Sequence, residues 1–281
     1  MCSLGRLAVD ADVGVIQTDA GGRCEKTAVL EREVVYKTIG DVELKLHIFE
    51  CERRGRRPAI VFFFGGGWVG GSVSQFFPHC QHFASQGMVA ISAEYRIKNK
   101  HGTTPFECVA DGKSAIRYVR AHAKDLGVDP ARIAAGGGSA GGHVATCTAA
   151  IEGFDEDTED KTISSKPNAL VLFNPVIDTT EHGYGANKLK GQTKTLSPVH
   201  HVVEGLPPTI IFHGTADTTV PFENVERFCE KMHDAGNRCV LLPFEGKKHG
   251  FFNYTREKDH KSYNETIQHA EQFLRSLRYL R

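Results

Sequence analysis

No apolar run in this chain is long enough to cross a bilayer. The longest, such as Ala59–Phe64, stop far short of the roughly 20 residues a spanning helix needs. There is no excess charge of either sign, since Lys+Arg and Asp+Glu both total 34. That balance excludes a basic field that gathers nucleic acid, and an acidic tail held open by self-repulsion. Met1–Gly22 has no basic stretch followed by an apolar core, so no secretory leader is read and the expected compartment is the cytoplasm. The eight cysteines, at 2, 24, 51, 80, 108, 147, 229 and 239, form no CxxC pair and no ligand spacing with histidine. They read as reduced, packed thiols, with no metal and no cofactor expected. Cys229 and Cys239 flank a helix-to-strand turn and are placed to approach each other.

What is present is an alternation of short apolar runs and helical spacings. Residues 1–30 are polar and contain glycine, and read as a loosely attached lead-in. Glu31–Ile39 and Val42–Cys51 alternate apolar and polar residues about Gly40-Asp41, a hairpin signal. Glu52 to Pro58 carries four arginines and reads as a solvated turn. Ala59–Phe64, Met88–Ser92, Arg132–Ala135, Ala169–Phe173, Pro208–Phe212 and Cys239–Phe244 have the composition of strands buried on both faces. Helices are predicted over 75–86, over Pro105 to Leu126 before Gly127, over 221–235, and over 260–277. Arg96 and Asp111 read as structural ion-pair partners, and the acidic run 155–160 as a solvated loop. Residues 176–207 are irregular, a short cap-like insertion. The expectation is an α/β fold in a single domain over 1–281: a mostly parallel twisted sheet of about eight strands flanked by helices, with an antiparallel edge and a minimal cap.

The chemistry centres on Gly137-Gly138-Ser139-Ala140-Gly141. A strand-like run precedes it and a small, apolar, helix-compatible run follows. Strand, tight turn and helix in that order are the context of a nucleophile elbow, where flanking glycines remove collisions around a strained serine. A serine hydroxyl needs a base, and the base an orienting acid. Of the histidines after the last candidate acid, His233, His260 and His269 fall in or beside predicted helices. His249 sits in a Gly-flanked loop just past a strand and is the expected base. His143 and His213 read as packing behind the site. Asp217, in a loop after a strand, is the favoured acid, with Asp178 as its rival. The N–H of Ala140 and those of Gly65-Gly66-Gly67 are candidate donors to an oxyanion. Trp68, beside that glycine run, reads either as a wall of the substrate site or as simple core packing.

These residues resemble the α/β-hydrolase superfamily, and within it small esterases and lipases with an HGGGW-like loop and a GGSAGG elbow. Phe63-Phe64-Gly65-Gly66-Gly67-Trp68, Gly137 to Gly142, His213-Gly214-Thr215-Ala216-Asp217 and Lys248-His249-Gly250-Phe251-Phe252 occur in the corresponding order over residues 31 to 278. Phe64 stands where relatives usually have histidine. The resemblance implies Ser139, Asp217 and His249 as a triad, with Gly66, Gly67 and Ala140 as the oxyanion hole. It implies a serine carboxylesterase acting on short-acyl, often acetyl or feruloyl, esters of carbohydrates. Such a protein binds a small-molecule or carbohydrate ester, neither nucleic acid nor membrane, and works as a monomer or homodimer. A serine peptidase of the prolyl-oligopeptidase type and a non-catalytic relative that binds a ligand are the other readings that such a resemblance allows.

Overall fold

A computed structural model describes residues 28–52 and 55–281. The expectation for the lead-in falls almost wholly outside these residues, as do Arg53 and Arg54 of the arginine-rich turn. The first two strands, β1 (Leu30–Ile39) and β2 (Val42–Glu50), form the antiparallel hairpin about Gly40-Asp41. Then β3 (Arg57–Phe63) leads through a 3-10 turn, Val73–Phe76, into α1 (Phe77–Ser85) and β4 (Val89–Ala93). A one-turn helix, α2 (Lys98–His101), precedes α3 (Pro105–Ala121). The chain continues through β5 (Val128–Gly138), α4 (Ala140–Ala150) and β6 (Ala169–Phe173). It ends with β7 (Thr209–Gly214), α5 (Phe222–Asp234), β8 (Cys239–Phe244) and α6 (Lys261–Ser276). The sheet order is β1-β2-β4-β3-β5-β6-β7-β8. Among the described residues, only the pairings β1–β2 and β2–β4 are antiparallel.

Strand β3 shows how both faces of the sheet are covered. Successive side chains of a strand point to opposite faces. Phe62 stacks on Phe76 and Phe83, on the α1 side, while Phe63 lies against Gly112 of α3. Each of these buried phenylalanines contributes roughly 2 kcal/mol of hydrophobic stabilisation. On the α1 side, α6 joins α1: Tyr263 Oη donates to the Pro78 carbonyl at 3.0 Å, and His82 meets Glu271 at 2.8 Å. On the other side α3 and α4 cross closely, where a Cβ on Gly112 would overlap the Val144 side chain. Among the described residues no helix is long and apolar enough to cross a membrane.

Local expectations fail where tertiary contacts intervene. The helix expected to reach Leu126 stops at Ala121; residues 122–127 turn the chain into β5, with Gly127 at φ +63°. Arg57 is not solvated. It opens β3 as a buried residue, pairing with Glu50 and donating to the Cys51 carbonyl at 2.9 Å. The acidic run is a loop but not a freely solvated one. Asp155 and Glu159 pair with Arg117 on α3, and Glu156 with Lys37 and Arg96. Asp157 and Asp160 are the exposed carboxylates of the run. Asp111, wholly buried, takes Lys37 at 2.7 Å and Arg96 at 2.8 Å, so two cations offset one desolvated carboxylate. All six cysteines among the described residues are buried, and Cys80, Cys108, Cys147, Cys229 and Cys239 are free thiols. Cys229 and Cys239 lie close enough for one sulfur to hydrogen-bond the other.

Candidate active site

The parallel strands deliver their following loops to one edge of the sheet, and three of these loops hold the expected residues. Ser139 follows β5 directly and precedes α4. Its φ of +53° and ψ of −120° are a costly conformation for a non-glycine residue, of order 1–3 kcal/mol. Surrounding bonds hold it: Ser139 N–H donates to the Phe173 carbonyl at 3.0 Å, and its own carbonyl accepts from His143 and Val176. Glycine is required at 141, because an ideal Cβ there would overlap the carbonyl oxygens of Phe63 and Phe64. The first turn of α4 thereby packs onto the end of β3, so the serine protrudes at the mouth of the sheet.

Asp217 follows β7, and His249 lies past β8. His249 Nδ1 is 2.6 Å from Asp217 Oδ2, and its Nε2 is 2.9 Å from Ser139 Oγ. Burial pushes the Asp217 carboxyl up. Hydrogen bonds from His213 and His249, the Val220 N–H and the His249 charge more than offset this, holding it well below the usual carboxylate range. Its other oxygen accepts from the N–H groups of Thr219 at 2.9 Å and Val220 at 3.0 Å. An ionised carboxylate only accepts, so Nδ1 of His249 carries the proton. Nε2 then presents a lone pair to the serine hydroxyl.

Asp178, the rival acid, is occupied elsewhere: Thr180 N–H and Oγ1, Ser197 Oγ and Arg227 all donate to it. His143 stands behind the elbow, its Nε2 donating to the Leu196 carbonyl at 2.6 Å. His213 was expected to pack only. It does more, lying 3.4 Å from Asp217 Oδ2 while bonding the Val220 carbonyl at 2.9 Å. Its i, i+4 spacing from Asp217 is the signal by which the sequence could have shown this.

The glycine loop faces the serine, since a Cβ on Gly65 would lie 3.4 Å from Ser139 Cβ. Gly66 has φ +124°, and a Cβ there would overlap the Gly70 carbonyl, so only glycine makes this turn. Among the described residues, no acceptor takes the N–H of Gly66 or Gly67. Ala140 opens α4, where N–H groups have no intrahelical acceptor. Phe64, in place of histidine, stacks on Tyr95 with centroids 4.2 Å apart, and Tyr95 Oη donates to its carbonyl at 2.6 Å. A polar chain missed in the sequence completes the bracing. Gly65 N–H donates to Gln75 Oε1 at 2.6 Å, and Gln75 Nε2 to Asn253 Oδ1 at 2.8 Å. Asn253 Nδ2 donates to the Gly250 carbonyl at 2.8 Å, and Gly250 N–H to Asn174 Oδ1 at 3.0 Å. Trp68 forms no open wall. It is 1% exposed, turned inward against His143 and covered by Tyr184 of the 176–207 segment.

A family model described as BD-FAE matches residues 46–232. The chain belongs to the BD-FAE family, a carboxylesterase family of the α/β-hydrolase superfamily. Esterase 2 of Thermogutta terrifontis, solved in its apo form, is 50% identical, with a TM-score of 0.86 over 89% of this chain and 96% of that one. The same esterase has been solved with propionate bound and after phosphorylation by paraoxon. The carboxylesterase NlhH of Mycobacterium tuberculosis is 26% identical, over 80% of this chain and 75% of its own. The probable isoprenylcysteine alpha-carbonyl methylesterase ICMEL1 of Arabidopsis thaliana is 25% identical over 78% of this chain. The chain spans about half the length of the first curated relatives it matches, 51% of ICMEL1 and 50% of the mycobacterial LipM.

Proposed function

We propose that this chain is a serine carboxylesterase that hydrolyses short-acyl esters through an acyl-enzyme. The observation that carries this reading is the unbroken Asp217–His249–Ser139 chain, at 2.6 and 2.9 Å, beside the N–H groups of Gly66 and Gly67, which no acceptor among the described residues takes. Ser139 Oγ attacks the ester carbonyl carbon as its proton passes to His249 Nε2. The carbonyl oxygen becomes an oxyanion that accepts from the N–H groups of Gly66, Gly67 and Ala140. His249, its charge stabilised by Asp217, gives the proton to the departing alkoxide, and the alcohol leaves. Water, deprotonated by His249, then attacks the acyl-serine and releases the acid and the serine.

We read the substrates as acetyl or feruloyl esters of carbohydrates. The 176–207 segment supports a small acyl site. Its only helical pieces are the three-residue 3-10 turns Ala186–Lys188 and Pro198–His200, neither of which can roof a long acyl groove. The related esterase solved with propionate and butyrate points the same way. The test is a panel of aryl acetate, propionate and octanoate with acetylated and feruloylated sugars, using Ser139→Ala as control. Acetate or propionate should exceed octanoate at least roughly tenfold in kcat/KM, about 1.4 kcal/mol of discrimination. Octanoate preference defeats the short-acyl reading; near-wild-type turnover by Ser139→Ala defeats the serine mechanism.

A further inference from the structure

Lys188 closes the 3-10 turn that lies over the glycine loop. Its ammonium donates to the Gly67 carbonyl at 3.2 Å and to Tyr184 Oη at 3.0 Å. It also sits 4.5 Å from the centroid of the Tyr184 ring and 5.5 Å from that of Trp68. An ammonium has three N–H donors, and two are used here. No carboxylate among the described residues pairs with it. The contrast with other poorly exposed lysines is sharp: Lys37 meets Asp111 and Glu156, and Lys113 meets Asp155. A half-buried cation held only by neutral oxygens and ring faces has lost part of its hydration with no opposite charge to offset the loss.

The 176–207 segment carries Lys188, Lys190 and Lys194 with Asp178, Glu181 and Glu204, and of these acids Asp178 is already paired with Arg227; Lys248 adjoins His249 in sequence.

We infer that Lys188 binds an anionic group of the substrate, a carboxylate on the alcohol portion of the ester. The inference rests on the esterase reading and narrows its substrate class to esters of acidic alcohols, such as acetylated acid sugars. Gly67 joins Lys188 to the proposed oxyanion donors, so a carboxylate on its third N–H lies within the span of one small alcohol moiety. A long acyl chain gains nothing from this cation.

The experiment compares 3- and 4-acetoxybenzoate with the corresponding neutral acetoxybenzamides, in wild type, Lys188→Met and Lys188→Arg. Within each protein the benzamide is the reference, and comparing proteins cancels the leaving groups' intrinsic reactivities. For at least one isomer, wild type should favour the benzoate in kcat/KM. Lys188→Met should lower the benzoate-to-benzamide ratio about tenfold, mainly through KM, and Lys188→Arg should keep most of it. Raising salt from about 10 mM to about 0.5 M should shrink the wild-type preference, a readout that holds even if Lys188→Met does not fold. Wild-type turnover of benzamides with no benzoate preference for either isomer, or an unchanged ratio in Lys188→Met, overturns the inference and leaves the esterase reading intact. Loss of all four substrates in wild type, with no turnover of simple aryl acetates, brings down the esterase reading and this inference together.

Discussion

At the scale of the residue, the proposed triad should act as one unit, so removal of its members should not be additive. His249→Ala should cost nearly as much kcat as Ser139→Ala, because without a base the hydroxyl keeps its proton. Asp217→Asn should be about ten- to a hundredfold less damaging, since it misorients the imidazole without removing it. Asp178→Asn should leave kcat within about threefold, because Asp178 is tied to Thr180 and Arg227 rather than to His249. Steady-state kinetics on an aryl acetate check all three. Activity lost in Asp178→Asn and kept in Asp217→Asn would transfer the acid role.

At the scale of the element, the question is what holds the glycine loop against the serine. The loop after β3 and the His249 loop after β8 are tied by Gln75 and Asn253, with Asn174 after β6 as the third anchor. Gln75→Met removes the acceptor of the Gly65 N–H, and Asn253→Leu cuts the same chain one link on. Each should lower kcat by roughly thirtyfold, about 2 kcal/mol, with KM little changed, as expected when donors to a developing charge lose their alignment. The double variant should be scarcely worse than either single one, because each breaks one continuous chain. Fully additive losses, or losses carried by KM, would show that the two amides serve other ends.

For the whole molecule, two buried histidines should contribute to the loss of stability in acid. Burial, with His82 nearby, holds His79 down to about 3, and burial holds His143 down to about 4 despite its bond to the Leu196 carbonyl. Their ordinary value is 6.5. Both therefore stay neutral in the folded protein while the unfolded chain takes up protons below pH 6.5. Stability is fully present above that pH and falls as pH drops towards their folded values. Each histidine should cost roughly 1.4 kcal/mol per pH unit across that window. Denaturant titrations at pH 7, 6 and 5 measure the slope. His79 has neither ring nitrogen bonded among the described residues and is enclosed by Phe62, Phe76, Phe173, Phe252 and Tyr263. His79→Leu should thus cost little at pH 7 and reduce the slope by close to one proton; an unchanged slope would locate the acid sensitivity elsewhere.

The strands, the hairpin and the order of the four motifs were legible in the sequence because each rests on a local cause. Apolar runs bury on both faces, Gly40-Asp41 turns a hairpin, and glycines around Ser139 admit a strained turn. The positions expected for nucleophile, base and acid could be ranked for the same reason: each lies in a loop that follows a strand. Other features depend on partners distant in the chain, which no local pattern encodes. Gln75 meets Asn253 across 178 residues, and Arg117 meets Asp155 across 38, turning an expected solvated run inward. Trp68 could pack inward or line a site from its sequence context; its contacts with His143 and Tyr184 decided for burial. The sequence by itself determined which elements form and in what order the reactive residue types occur. Tertiary structure decided which acid reaches the histidine, what braces the glycine loop and where Lys188 stands with no counter-charge among the described residues, because these depend on three-dimensional neighbours and on which charges lose their water.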